Sequence, residues 1–294
     1  MTEERRGVVF AALSAVFLAG VVLIAKTLLQ TMSAWGFTTF LFGFGAAWYT
    51  LYFLARRDFA VFAPSRGVVV AGLVVGALDA GYTLATFSAL QLLTPGVYAF
   101  FSHLADLLTV IVGVAILRER FTIRASLGVA VAFAGLIVMT ARTDAGVLDG
   151  FLLMVVAAGF FAANAVVVKR YTKRYLPIHL AYYRAIALAV LMLGFSFAID
   201  TFRWPSGDEW WLLAIIGLIG PFLNYLFFFQ ALKRLAIGRV SLLRMCYSVL
   251  VIAGAYLIYA QLPTDRQIVG GLTLLAGVGL VVSSPQRSRI AAGK

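Results

Sequence analysis

Residues 87–96 read Phe-Ser-Ala-Leu-Gln-Leu-Leu-Thr-Pro-Gly, and residues 229–238 read Phe-Gln-Ala-Leu-Lys-Arg-Leu-Ala-Ile-Gly. At an offset of 142 the two agree at Phe87/Phe229, Ala89/Ala231, Leu90/Leu232, Leu93/Leu235 and Gly96/Gly238. The same offset continues without a gap through Thr122/Thr264, Arg124/Arg266, Gly128/Gly270 and Gly135/Gly277. Ala and Leu matches are cheap in an apolar chain, so the weight rests on Gly, Thr and Arg and on the unbroken register. With one residue added to the offset, Gly7 meets Gly150 and Lys26 meets Lys169. The chain is therefore read as one unit used twice, over residues 7–140 and 149–283, joined by Ala141–Leu148.

Each unit is built for lipid. Hydrophobic residues make up 63% of the 294, charged residues 12%, and the mean hydropathy is +0.98; a soluble domain carries roughly a quarter charged residues. Segments of roughly 20 residues, enough to cross about 30 Å of hydrocarbon, run near Gly7–Leu29, Trp35–Ala55, Gly67–Ala89, Thr94–Leu117, Ile123–Thr140, Asp149–Val168, Ile178–Ile199, Trp210–Leu232, Ile237–Ala260 and Ile268–Val282. The first follows Arg5 and Arg6 but exceeds a signal-peptide core, so it is read as a retained helix. Five segments per unit is an odd number, so the second unit enters the membrane from the opposite side. The expectation is an all-α integral membrane protein with ten transmembrane helices as two inverted five-helix repeats.

The basic residues orient it. Arg5, Arg6, Arg56, Arg57, Arg66, Arg118, Arg120, Arg124, Lys169, Arg170, Lys173, Arg174, Lys233, Arg234, Arg239, Arg287, Arg289 and Lys294 all fall on one side of a ten-helix chain. The other side receives only Lys26, Arg142, Arg203 and Arg266. Cytoplasmic loops carry the excess of Lys and Arg, which places both termini in the cytoplasm. The net charge of +12 is thus a topology signal spread over short loops, and no loop is long enough to fold a nucleic-acid-binding module. The single cysteine, Cys246, excludes an intrachain disulfide and is read as a small packing residue. Trp35, Trp204, Trp210 and Trp211 fall at outer helix ends, as interfacial anchors do.

The residues also carry a family likeness. Phe87-Ser88-Ala89-Leu90 closing the third helix, then Leu117-Arg118-Glu119-Arg120-Phe121-Thr122 and Gly128, resemble an EamA repeat of the drug/metabolite transporter superfamily. Phe229-Gln230-Ala231-Leu232-Lys233-Arg234-Leu235, Tyr259-Ala260-Gln261-Leu262-Pro263-Thr264 and Gly270 echo it. Arg184 matches an arginine often seen in the seventh helix of that family. The likeness covers about residues 7–283. One departure is that the family's glutamate stands as Glu119 in the first unit but as Gln261 in the second. Both positions lie at a membrane surface, where a carboxylate caps backbone donors, so helix anchoring is favoured over gating.

Ionisable groups inside hydrocarbon are costly and mark pathways. Asp79 lies mid-way along the third segment, with Tyr82, Thr83 and Thr86 on the same helical face. His103 and Asp106 lie mid-way along the fourth, flanked by Ser102 and Thr109. Cavity lining and proton binding are one reading; a helix-tying Asp–His or Asp–Arg pair is the other. The second unit places Pro221, Met245 and Ser248 opposite Asp79, His103 and Asp106, and supplies Asn164, Arg184, Asn224, Tyr225, Arg244 and Tyr247 instead. One acidic wall facing an amide, phenol and guanidinium wall suits a zwitterion or a polar molecule with an anionic group. Snorkelling to the surface is the alternative for Arg184 and Arg244. Pro221 is expected to kink its helix, and Gly72-Leu73-Val74-Val75-Gly76 to let two helices approach closely.

The functional expectation is a secondary transporter of the bacterial inner membrane, moving a small organic metabolite by alternating access. Its candidate binding residues are Asp79, Tyr82, His103, Asp106, Asn164, Arg184, Asn224, Tyr225, Arg244 and Tyr247. The resemblance implies amino acids or related compounds, with export the commonest direction. Membrane lipid and a small-molecule substrate are the expected partners, with the proton a candidate coupling ion. No cofactor or nucleic acid is called for. The chain has no Walker A pattern, HExxH or GxSxG, and His103–Asp106 has no identifiable nucleophile beside it, which argues against an enzyme. A lipid-handling or receptor-type membrane protein is the alternative.

Overall fold

The computed structural model describes residues 3–108, 111, 122–141, 145–171, 174–232, 234–235, 240 and 243–283, with the side chains of residues 169 and 232 excepted. Every regular element among them is helical. In chain order these are α1 (Glu3–Leu28), α2 (Ala34–Arg56), a 3-10 turn (Phe59–Phe62), α3 (Arg66–Leu92), α4 (Pro95–Phe101), α5 (Ile123–Thr140), α6 (Ala145–Tyr171), α7 (Pro177–Ala198), α8 (Glu209–Gly217), a π-helix (Leu218–Asn224), α9 (Tyr225–Leu232), α10 (Tyr247–Tyr259) and α11 (Asp265–Val282). Among the described residues, eight stretches are long and apolar enough to cross a membrane, α8, the π-helix and α9 forming one of them, and α10 is a shorter apolar helix.

Local chemistry sets the ends. Ser33, Ser65, Thr122 and Thr264 cap α2, α3, α5 and α11 by accepting from the backbone N–H of Gly36, Val68, Ala125 and Gln267. Thr264 completes a capping box with Gln267. At the other end of α3, Lys26 Nζ donates to the carbonyls of Leu90, Gln91 and Leu93 at 2.7, 3.2 and 2.8 Å. A cation there satisfies carbonyls that the helix leaves open and complements its dipole.

Residues matched by the 142-residue offset exchange partners across the structure. In α5 and α11 a Cβ added to Gly128 would lie 2.7 Å from the Gly277 carbonyl, and one on Gly135 2.6 Å from the Gly270 carbonyl. Only glycine allows backbones this close, and the order of contacts makes the two helices antiparallel. At their ends Arg124 donates to Ser283 Oγ at 3.0 Å, and Arg266 to the Ala141 carbonyl at 2.8 Å. Gly7 packs on Leu235 in the same way that Gly150 packs on Leu93.

α2 packs on α7, and α3 on α6 and α7. Gly72 meets Tyr183 and Gly76 meets Ala187, so the GxxxG pattern is used within the chain. Trp204, Trp210 and Trp211 are exposed, while Trp35 is half-buried against Phe195.

Three expectations need adjustment. The fourth expected segment is described as α4, a turn at Ser102 and helix again over residues 103–108; residues 109–110 and 112–117, including Thr109, lie outside the described residues. The ninth is interrupted by a turn at Met245 and Cys246 before α10. The two breaks meet: the Ala99 carbonyl accepts from Ser102 Oγ, Tyr247 and Ser248 hydroxyls, so side chains compete there with the helical ladder. Cys246 is exposed at that turn and is not a packing residue. Pro221 stands inside the π-helix, whose wider turn absorbs the missing N–H, and its carbonyl accepts from Tyr49 at 2.8 Å. Glu119 and the rest of the 117–121 stretch, Gly238, and Arg142, Lys173, Lys233, Arg239, Arg287, Arg289 and Lys294 lie outside the described residues.

Candidate functional site

A cavity of about 210 Å³ opens between α1, α3, α4 and the turn after it, α6, α9 and the start of α10. Tyr82, His103, Asp106, Asn224, Tyr225, Arg244 and Tyr247, seven of the ten candidate residues, line it. Tyr98, Ser102, Phe161, Phe228 and Met245 complete its polar and aromatic wall, with Leu18 and Val22 from α1. Phe161 rests against Tyr82 with ring centroids 5.2 Å apart.

The cavity has two charged walls. Asp106 is 44% exposed at its side chain, and its Oδ2 lies 3.0 Å from His103 Nδ1. Arg244 comes from the opposite half of the chain, with its guanidinium 4.5 Å from the Phe228 ring. Its Nε is buried and, among the described residues, without a hydrogen-bond partner. Arg244 is among the residues that line the cavity, and the snorkelling alternative does not describe it.

Asp79, Asn164 and Arg184 are drawn together beside the cavity, outside its lining. Arg184 Nη1 donates to Asp79 Oδ2 at 2.8 Å, and Asn164 Nδ2 donates to Asp79 Oδ1 at 3.4 Å. Asp79 is 3% exposed and Arg184 5%, so this is a buried ion pair between α3 and α7, and snorkelling fails for Arg184 too. Tyr225 joins the two regions. Its hydroxyl accepts from Arg184 Nη1 at 2.7 Å, its ring lies 4.2 Å from the guanidinium, and it also forms cavity wall. The π-helix ends immediately before it, at Asn224, whose Oδ1 accepts from buried Ser14 at 2.7 Å. Arg184 Nε and Nη2 and Asn164 Oδ1 are buried without hydrogen-bond partners among the described residues.

Ser248 was expected only as the counterpart of Asp106. The structure gives it a contact: its Oγ lies 2.9 Å from His103 Nε2. Sequence reasoning found no identifiable nucleophile beside the His103–Asp106 pair; the structure sets a serine hydroxyl against its imidazole. Carboxylate, imidazole and hydroxyl follow in the order of an acyl-transfer relay. Ser248 is 0% exposed and packed against the Ala99 carbonyl, so no substrate carbonyl reaches it. Sequence reasoning also passed over Tyr98 and Phe228; Tyr98, one helical turn before Ser102, was open to the same periodicity argument that brought in Tyr82.

Comparisons agree with this architecture. The profile described as the EamA-like transporter family matches residues 5–141 and again residues 148–283. A protein of Archaeoglobus fulgidus named as an uncharacterized transporter is 27% identical over 194 residues, 65% of this chain and 68% of that protein. A Rickettsia prowazekii protein named as an S-adenosylmethionine uptake transporter is 24% identical over 187 residues, 64% of this chain and 63% of its own length. One solved crystal structure superposes with a TM-score of 0.67 at 22% identity, covering 93% of this chain and 96% of the other, a likeness of fold.

Proposed function

Since the chain belongs to the EamA-like transporter family, we propose that this multi-pass membrane transporter carries a small zwitterionic metabolite, an amino acid or a related compound, through the cavity between Asp106 and Arg244. The observation that carries this reading is that a half-exposed carboxylate, Asp106, and a guanidinium whose Nε has no hydrogen-bond partner among the described residues, that of Arg244, line the same cavity. A carboxylate on the substrate takes Arg244, an ammonium group takes Asp106, and Tyr82, Phe161, Tyr225 and Phe228 cover the apolar part. S-adenosylmethionine, in the name of one relative, has the same pair of groups.

The proposed scaffold is ten transmembrane helices in two inverted repeats, residues 7–140 and 149–283, with both termini in the cytoplasm of a bacterial inner membrane. The partner exchange of Gly128, Gly135, Gly270 and Gly277 supports a pseudo-two-fold relation. The eighteen basic residues on one side support the orientation. Two repeats rocking about a cavity at their interface provide alternating access. Export is the direction proposed, with the proton as coupling ion.

The test is counterflow in liposomes. Protein loaded with one unlabelled amino acid at a time should accumulate the labelled compound from outside, and Arg244→Gln should lose this. Absence of exchange for every zwitterion tried, with lipid scrambling in its place, would overturn the reading in favour of lipid handling.

A further inference from the structure

Three hydroxyl groups converge on the carbonyl oxygen of Ala99. Ser102 Oγ donates to it at 2.7 Å, Tyr247 at 2.9 Å and Ser248 Oγ at 3.3 Å. A carbonyl has two lone pairs, so the most distant hydroxyl, that of Ser248, is free to turn. Its other neighbour is His103 Nε2 at 2.9 Å, and His103 Nδ1 faces Asp106 Oδ2 at 3.0 Å. Both states of the imidazole are therefore satisfied by the same heavy atoms.

With His103 neutral, Nδ1–H donates to the Asp106 carboxylate and the Ser248 hydroxyl donates to Nε2. One proton from solvent, added at Nε2, makes both ring nitrogens donors. Ser248 then accepts from Nε2–H and swings its own hydrogen to the Ala99 oxygen. Ser102, half-buried on the cavity wall, can turn its hydroxyl toward the cavity in exchange. One N–H bond forms as an O–H bond of hydronium breaks, water leaves, and the charge of the His103–Asp106 pair goes from −1 to 0. The half-exposed Asp106 is the entry point, because His103 and Ser248 are buried.

We propose that His103, held between Asp106 and Ser248, is a proton-binding site that ties the two halves of the chain together, so that a bound proton stabilises this conformer over any in which α4 and α10 separate. His103 follows α4 in the first half and Ser248 opens α10 in the second. Hydrogen bonds from an imidazolium are roughly twice as strong as neutral ones, so protonation tightens the bridge. Among the described residues, the other titratable or charged groups lining the cavity with His103 are Tyr98 from α4, Tyr82 from α3, Tyr225 from α9, Arg244, and Tyr247, whose ring lies against the imidazole. α11 meets α4 through Gly271 on Phe100, and α1 contributes Leu18 and Val22. Arg244 opposes the added charge, but Asp106 is in direct contact with the ring, and Coulomb energy falls with distance.

This inference rests on the transport reading and assigns its coupling proton, yet it is testable without substrate. Spin labels at Leu92→Cys and Gln261→Cys, both exposed, flank the contact of Gly96, at the start of α4, with Pro263, beyond the end of α10. Cys246→Ser removes the single native thiol. Distances are read in lipid nanodiscs from about pH 8 to pH 5, the range in which histidine changes charge. Acidification should enrich the short-distance population; His103→Gln should abolish the response, and Ser248→Ala should cut it by at least about half, as loss of the charged hydrogen bond requires. His179→Gln should respond like the parent. A parent without pH response, or an undiminished response in folded His103→Gln, overturns the proposal. If His103→Gln does not fold, a full response in Ser248→Ala does so. Lost counterflow with the response intact fails the transport reading alone; counterflow without the response fails the proton site alone.

Discussion

Arg184 Nη1 and Asp79 Oδ2 lie 2.8 Å apart with both side chains buried, one on the seventh helix and the other on the third. The pair joins the two matched halves of the chain beside the cavity. Removing one partner leaves a buried charge uncompensated, so Asp79→Ala or Arg184→Ala should each destabilise the protein by about 3–5 kcal/mol. The double variant Asp79→Leu/Arg184→Met should recover most of that. Thermal unfolding in detergent, analysed as a double-mutant cycle, checks this; purely additive effects would contradict it.

Tyr225 links that pair to the cavity, and its hydroxyl is the only part that Tyr225→Phe removes. Loss of one hydrogen bond to a charged group should cost about 1.5–3 kcal/mol of stability. The same change alters the cavity wall, so the exchange rate should fall while Asn164→Ala, outside the lining, affects stability more than exchange. Paired melting and counterflow measurements separate the two effects.

Gly135 and Gly277 stand where a Cβ would run into the backbone of the facing helix. Gly135→Val and Gly277→Val should destabilise by about 1–3 kcal/mol or more, as overpacking does. Gly194, inside α7 with nothing within 4 Å, is the control. Gly194→Ala should be neutral or stabilise by roughly 0.5–1 kcal/mol. Detergent melting curves of the three variants decide the matter.

Arg244 lines the cavity, and its Nε has no hydrogen-bond partner among the described residues. If it receives the substrate carboxylate, Arg244→Gln should raise the half-saturating concentration in counterflow by about 10-fold or more, a loss of at least ~1.4 kcal/mol. Melting temperature should change little, because no native ion pair is lost.

The proposed orientation predicts labelling. On the Cys246→Ser background, Ser206→Cys in the loop before α8 should react with an impermeant maleimide added to intact cells. Ala63→Cys, in the loop between α2 and α3, should react only after the membrane is opened. Reversal of this pattern would invert the topology inferred from Lys and Arg.

The repeat was legible because it is a statement about register: Gly128, Gly135, Gly270 and Gly277 stand out in an apolar background whatever they touch. Asp79, His103, Asp106, Arg184 and Arg244 were legible for the same reason, since charge inside a hydrophobic run is conspicuous. Their grouping was not. Helices in lipid are apolar toward both the bilayer and the protein core, so hydrophobic periodicity gives little rotational phase. Phe100 and Phe101 are buried while Phe160 is 38% exposed, and nothing in their local sequence separates them.

By itself, then, the order of residues determined that this chain crosses a membrane many times, repeats itself after 142 residues and belongs among transporters. Those properties follow from transfer of apolar segments into hydrocarbon and from spacing along one dimension. Only the tertiary structure decided that Asp79 is paired with Arg184, that Arg244 and Asp106 line one cavity, and that Ser248 meets His103. These groups lie 105, 138 and 145 residues apart in the chain. They exist because helix packing sets the rotation of each helix, and a rotation of tens of degrees turns a cavity wall toward lipid.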